Sequence, residues 1–372
     1  MIIFILINVS GFFYKLEGEL KMSIPTEPIG SLPRPAALQN ALASGASTDE
    51  INKLYDEAVK DTVEGFEAAG STVFTDGEQT KSSFATYPLS NISNLAPDGV
   101  EIPFEDGHKR QLPRLTEGPF RYGEFAGSYL PRLKKFTNGP LKQAVISASA
   151  MSLLYPADGI DGYSQKEFIS DLVDQAVEDI RSCFSNGAET VQIDFTEGRL
   201  AVKLDPSKGL LKNFVDLNNQ VLSHFSPEEQ KKIGVHVCPG GDHDSTHSAD
   251  VPYEELIPDL FEMKVGSFYV QMASEEDPDK ALAEIAKNLK PDQRVFVGVT
   301  DVNSPEIESA EVVRDRVLAA AKHIPVSQLG TTDDCGFSPF ADDAGTSREI
   351  AFAKIKARVE GTRLAEKELG LN

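Results

Sequence analysis

The sequence predicts an α/β protein built as one closed (β/α)8 barrel, on three observations. From Met22 onward, short β-rich runs alternate with longer helical patterns; the runs number eight; and no glycine-rich dinucleotide loop follows the first of them. Alternation implies a parallel sheet, a count of eight implies closure, and the missing loop sets aside the doubly wound open sheet. In order, the strands are expected at Pro25–Gly30, Ser71–Thr75, Gln143–Ser147, Thr190–Ile193, Gly234–Val237, Ser267–Gln271, Arg294–Val299 and Ser327–Gly330. Helical segments, with apolar residues three and four apart, lie between them at Thr48–Ala69, Gln165–Asn186, Pro252–Met263, Pro278–Asn288, Glu311–His323 and Thr346–Leu369. Several open on good caps, such as Ser47 or Thr48 before Asp49-Glu50, and Ser226 before Pro227-Glu228-Glu229. The stretch from Lys81 to Pro140 breaks the rhythm with prolines and mixed charge, which predicts an elaborated loop (81–140) over one barrel face.

Residues 1–22 are expected to form a leader outside the fold, disordered or preceding a working start at Met22, with the barrel over residues 23–372. The run Ile2–Val9 is almost wholly apolar, but Lys15 comes after it and no A-x-A follows, so it is not a signal peptide. It is also far short of the roughly 20 residues that span a bilayer. A packed N-terminal strand or cap is the alternative.

Composition narrows the function classes. The 372 residues carry 36 Lys+Arg and 58 Asp+Glu, a net charge of −22, which argues against nucleic acid or an anionic membrane as partner. Small anionic substrates respond to local charge and stay open. Three cysteines cannot build a disulfide framework, which points to a reducing compartment and hence the cytoplasm.

Chemistry in such a barrel sits where strands end. Following each expected strand gives Ser31, then Asp76 and Glu78, then Ser147 or Ser149, then Asp194 with Glu197, then His236 with Cys238. Gln271 with Glu275, Asp301, and Asp333-Asp334-Cys335 complete the rim. Residues two apart in a strand face one side, so His236 and Cys238 project together, and Cys335 can converge on them. Imidazole and thiolate are preferred zinc ligands, and a catalytic zinc keeps one of four positions open. Against this stands plain burial of two small residues in a barrel core. His243 and His247 form a competing pair, although Gly240-Gly241 suggests a loop carrying solvated or substrate-contacting residues. Cys183, inside a helical pattern, is expected to pack.

These residues resemble the cobalamin-independent methionine synthases and their single-barrel relatives, including the epoxyalkane:coenzyme M transferases. The matching pieces are Ile29-Gly30-Ser31 with Pro33, Asp76-Gly77-Glu78, Gln192-Ile193-Asp194, His236-Val237-Cys238 and Asp334-Cys335-Gly336-Phe337, in the family's order, across Ile24 to the C-terminus. The resemblance implies a zinc ion held by His236, Cys238, a residue after the next strand, and Cys335. It also implies that Glu78 and Asp194 bind the amine of a homocysteine-like thiol, with Ser31 on its carboxylate. Two departures matter. The third ligand position reads Gln271 where the family has glutamate, so Gln271, Glu275 or Glu276 takes that place, or the other three ligands suffice. The complete synthases also carry an N-terminal barrel that helps bind polyglutamylated folate, for which 372 residues leave no room, so the donor is open.

The expected function is zinc-dependent methyl or alkyl transfer from a small donor to a small thiol acceptor, with Asp301 and Asp334 as catalytic residues, and with Asp301 and Asp333 placed to orient a metal-bound histidine or relay a proton. Two alternatives remain: a diverged barrel that only binds, and a metal-free decarboxylase of the uroporphyrinogen decarboxylase kind. The latter needs a basic pocket, and this rim is mainly acidic.

Overall fold

The computed structural model describes residues 13–16, 19–343 and 345–371. The leader expected over residues 1–22 lies largely outside the described residues; within it, Phe13–Leu16 pairs antiparallel with Glu19–Met22.

Six strands form one parallel sheet: β1 (Lys142–Ile146), β2 (Thr190–Asp194), β3 (Ile233–Val237), β4 (Ser267–Val270), β5 (Arg294–Gly298) and β6 (Leu329–Thr332), each hydrogen-bonded to the next in chain order. Every residue of β1 and of β3 is buried, as expected of strands covered on both faces. The remaining two positions of the ring are held by single parallel bridges, Thr26 to Thr331 on β6 and Phe74 to Leu141 before β1. Leu32 N donates to Gly77 O at 3.0 Å and Thr75 Oγ1 to Gly30 O at 3.0 Å, which joins those two segments and completes a TIM-type barrel.

The first two expected strands thus shrink to one bridged residue each. Pro25 and Pro28 remove ladder donors from the first. In the second, the Ser71 hydroxyl donates to Val73 O at 2.9 Å, a local bond that competes with strand pairing. The last strand starts later than expected, because Val326–Gln328 after Pro325 is a tight helical turn; β6 therefore ends at Thr332, directly before Asp333-Asp334-Cys335.

The barrel interior explains two glycines. Tyr269 on β4 stacks on Phe296 on β5 with centroids 4.6 Å apart, and Tyr269 Oη donates to Glu27 Oε2 at 2.6 Å. A Cβ on Gly234 would sit 2.5 Å from the Tyr269 ring, and one on Gly330 would sit 2.4 Å from Phe296. Neighbouring strands must therefore leave their inward positions empty for these rings.

Helices wrap the outside: α1 (Ala36–Ser44), α2 (Thr48–Ala69), α3 (Gln165–Ser185), α4 (Glu197–Leu204), α5 (Gly209–Leu222), α6 (Tyr253–Leu260), α7 (Pro278–Asn288), α8 (Ala310–Ala320) and α9 (Arg348–Glu368). Ser47 caps α2 by accepting from Glu50 N, and Ser164 with Glu167 forms a capping box on α3. Cys183 on α3 is fully buried.

Residues 81–140 carry two short antiparallel pairs, Leu95–Ala96 with Arg114–Leu115 and Glu101–Pro103 with Lys109–Gln111. They lie against the face where the strands end. Phe84 N donates to Pro339 O at 3.0 Å, and Glu105 N to Thr246 O at 2.9 Å. Arg110 grips the buried Asp242 and also Asp342, so the segment is clasped to the loops after β3 and β6.

Candidate metal centre and substrate cavity

His236 is placed by strand pairing: on β3 it stands opposite Asp194 on β2 and Tyr269 on β4. Its Nδ1 lies 3.2 Å from the Tyr269 carbonyl oxygen. A carbonyl only accepts, so Nδ1 carries the hydrogen and Nε2 presents its lone pair. That Nε2 is buried and has no hydrogen-bond partner. Cys238, one residue past β3 and wholly buried, places its Sγ 3.0 Å from Cys335 Sγ. The ligand atoms of His236, Cys238 and Cys335 all lie within 4.8 Å of one another. One imidazole nitrogen without a partner and two sulfurs at touching distance suit a thiophilic metal ion with a further position left open. The carbonyl that orients the imidazole is the outer partner such histidines ordinarily have.

Gln271 is buried, and its backbone N donates to Val237 O at 3.4 Å, which sets it level with Cys238. Its amide donates to Glu275 Oε1 at 2.9 Å. That same oxygen takes the Arg199 guanidinium at 2.6 Å, so Glu275 is neutralised by an arginine. Glu276 is exposed. Neither glutamate joins the His236, Cys238 and Cys335 group among the described residues.

A pocket with about 350 Å³ of empty space, part of it open to solvent, brings His236 and Cys335 together with Ser31, Glu78 and Asp194. Glu78 stands in a left-handed turn (φ 55°) after Gly77, which swings its carboxylate inward. Its backbone N donates to Asp76 Oδ1 at 2.9 Å, and its Oε1 takes Lys81 Nζ at 2.9 Å. The second oxygen, Oε2, is buried without a partner. Two other buried cations nearby do not pair with the Glu78 carboxylate: Arg34 donates to the Glu78 carbonyl, and Lys142 Nζ goes to Pro28 O at 2.8 Å. Asp194 accepts from Gln192 Nε2 at 2.7 Å, and burial pushes its carboxyl up to about 6. Ser31 packs against Gly336, where a Cβ would sit 2.1 Å from its hydroxyl, so the glycine after Cys335 makes room for the serine.

The two expected catalytic acids lie elsewhere. Asp334 is engaged by the loop after β4: Oδ1 accepts from Met272 N at 2.9 Å and Ala273 N at 2.8 Å, Oδ2 from Ser274 N at 2.8 Å and Ser274 Oγ at 2.7 Å. With four donors it anchors that loop and does not line the cavity. Asp301 accepts from Asn303 N at 3.0 Å, turning the chain after β5. Asp333 is held by Arg358 and by Thr300 Oγ1 at 2.7 Å. The competing histidine pair separates: His243 is exposed and groups with Asp242 and Asp343, and buried His247 faces Ser248 Oγ at 2.9 Å. Asp242 in that second group is already taken by Arg110 and by His108 Nε2 at 3.0 Å. Sequence reasoning missed Lys81, whose partnership with Glu78 at a spacing of three was the available signal.

The described helices include none long and apolar enough to cross a membrane. In comparison with known proteins, residues 24–359 match the catalytic domain of the cobalamin-independent synthases. A methionine synthase from Saccharolobus solfataricus is 23% identical over 358 residues, covering 93% of this chain and 96% of the relative. One from Sulfolobus acidocaldarius is 24% identical over 360 residues, covering 93% of each. Among solved structures, a B12-independent methionine synthase from Shewanella sp. W3-18-1, in complex with selenomethionine, superposes with a TM-score of 0.74 at 20% identity, over 93% of this chain and 99% of that one. One from Listeria monocytogenes described as putative superposes with a TM-score of 0.65 at 19% identity, over 92% and 98%.

Proposed function

Because the chain belongs to the cobalamin-independent synthase catalytic-domain family, and is an enzyme of methyl transfer, we propose that it moves a methyl or small alkyl group onto the thiol of a homocysteine-like acceptor, using zinc held by His236, Cys238 and Cys335. The observation that carries this reading is the buried, unpartnered Nε2 of His236 beside two thiol sulfurs, on a cavity whose other polar walls are Ser31, Glu78 and Asp194. A free thiol with a pKa of about 8.5 is mostly protonated at pH 7, and a zinc ion held here would supply the charge that keeps a coordinated thiol deprotonated.

The protein's own groups do the rest. Glu78 offers its free Oε2, and Asp194 a second carboxylate, to the acceptor's ammonium; Lys81 holds the other Glu78 oxygen and fixes the side chain. Ser31 presents a hydroxyl to the acceptor's carboxylate. Asp334 positions the loop that follows Gln271, and so acts through that loop and not on the reacting atoms. Gln271 brings a neutral amide where a carboxylate would add charge, which leaves three protein ligands and one open place. The selenomethionine bound to the Shewanella relative is an amino acid with a methylated chalcogen, the product type this reading requires.

The test is zinc per chain in protein purified without chelator, for wild type and Cys238→Ser. Near one zinc in wild type and far less in the variant is expected. Absence of zinc from both overturns the thiol-activation reading.

A further inference from the structure

The acceptor cavity continues outward. Phe84, Thr196 and Gly241 line it and also line a second, larger cavity with about 1190 Å³ of empty space, part of it open to solvent. The walls of the larger space are mainly apolar: Ile102, Phe104 and Leu112 from the 81–140 segment, Met151 and Leu153 after β1, and Phe340 after β6. Ile102, Leu153 and Leu200 lead on into a groove whose rim exposes Val100 (41%) and Leu204 (69%). An apolar route therefore runs from solvent to the sulfur ligands.

Charge along this route is already balanced. Arg110 is held by Asp242 and Asp342, and Lys203 by Asp250 Oδ1 at 2.8 Å and His247 O at 3.0 Å. No lining cation is left to meet an anionic ligand among the described residues. One polar group is unfinished. Glu197, 5% exposed at the start of α4, lines both the cavity and the groove. Its Oε1 takes Ser147 Oγ at 2.5 Å and Ser149 Oγ, and Asn218 Nδ2 fixes Ser149 by donating to its Oγ at 2.7 Å. Its Oε2 is buried with no partner. Burial pushes this carboxyl up to about 7, so its protonated form, able to donate, is well populated at neutral pH. A buried carboxyl held on one side by two serine hydroxyls and unpaired on the other is a prepared hydrogen-bonding point, which a ligand heteroatom can complete.

Resting on the alkyl-transfer reading above, we infer that this second cavity binds the alkyl donor, and that the donor is uncharged, with an apolar body and one heteroatom that pairs with Glu197. An extended polyanionic donor finds no counter-charge here, and its desolvation goes unreturned.

Nile red, a neutral apolar dye with one carbonyl acceptor, serves as the probe, followed by fluorescence titration. Wild type is expected to bind it, and Leu200→Asp, which puts a charge into the apolar wall, to bind at least about tenfold more weakly. Leu153→Asn gives the same direction should the first variant fail to fold, judged by circular dichroism. 5-Methyltetrahydropteroyltriglutamate, a polyanion, is expected not to displace the dye. Glu197→Leu should weaken binding by roughly 2- to 10-fold and shift emission to the blue, as the dye carbonyl loses its donor. No binding to wild type, equal binding to both wall variants, or displacement by the polyanion overturns the inference; unchanged emission in Glu197→Leu removes that residue from it. Zinc content, read on the same preparations, reports on the thiol-activation reading independently of the dye.

Discussion

The orientation of one imidazole decides what the site can be. With Nδ1 donating to the Tyr269 carbonyl, His236 can present only Nε2 to the two sulfurs, which stand 3.0 Å apart and would spread to roughly 3.8 Å on a shared tetrahedral zinc. The acceptor half is equally specific. If Glu78 and Asp194 read an ammonium, Asp194→Asn should raise KM for homocysteine by about 10–100-fold, an ionic hydrogen bond's worth, while leaving KM for a thiol lacking an amine, such as 3-mercaptopropionate, within about twofold. Steady-state kinetics with both thiols separates this from a general loss of activity. Gly336→Ala would drive a Cβ to 2.1 Å from the Ser31 hydroxyl, so it should raise acceptor KM with zinc content unchanged. The grouping of His236, Cys238 and Cys335 was legible in the sequence, because His236 and Cys238 stand two apart at one strand end and Cys335 follows another, whereas the parts given to Ser31, Glu78 and Asp194 rested on the family resemblance alone. The roles of Asp334 and Glu197 were not legible, since a carboxylate in the sequence carries no mark of the donors that will surround it. Four donors turned Asp334 into a loop anchor. Two serine hydroxyls and burial made Glu197 a half-satisfied acid in a cavity wall.

Individual elements were legible in proportion to their periodicity. Thr48–Ala69 and Pro278–Asn288 were read to the residue, because each has an uninterrupted apolar stripe and a clear cap or proline start. Pro25–Gly30 and Ser71–Thr75 were read as strands on composition alone, and composition does not count backbone donors. Between elements, the most consequential tie is Asp334 to Met272, Ala273 and Ser274. Replacing it in Asp334→Asn exchanges an ionic acceptor of four bonds for a neutral group with one acceptor oxygen, which should cost about 2–4 kcal/mol, measured by chemical denaturation. A second tie, Arg358 on α9 to Asp333 after β6, is wholly buried. Arg358→Met strands the Asp333 charge and should cost about 3–5 kcal/mol by the same measurement.

For the whole molecule, acidity and burial combine into a pH dependence. Burial pushes Asp179, under the Tyr87 hydroxyl, up from 3.8 to about 6, and Glu197 up from 4.5 to about 7. The unfolded chain holds fewer protons at these two sites between about pH 4 and pH 7, so their contribution to stability is full below pH 4 and is lost as pH rises through 6 and 7. Relief of self-repulsion in a chain of net charge −22 acts in the same direction. Tm measured by calorimetry should therefore be a few degrees higher at pH 5.5 than at pH 8, and Glu197→Gln should flatten part of that difference.

The barrel is also uneven around its circumference. Six strands share full ladders, whereas the segments bearing Ser31 and Glu78 are joined to them at one bridged residue each. His236, Cys238 and Cys335 follow or belong to the laddered part. Such a ring opens first along its thin seam. In native-state hydrogen exchange, amides near Thr26 and Phe74 should trade protons well before those of β2 to β5. Each transient opening would loosen the wall that carries Ser31 and Glu78 while the sulfurs and the imidazole stay in register; under the proposed function, that gives product a way to leave without disturbing the centre.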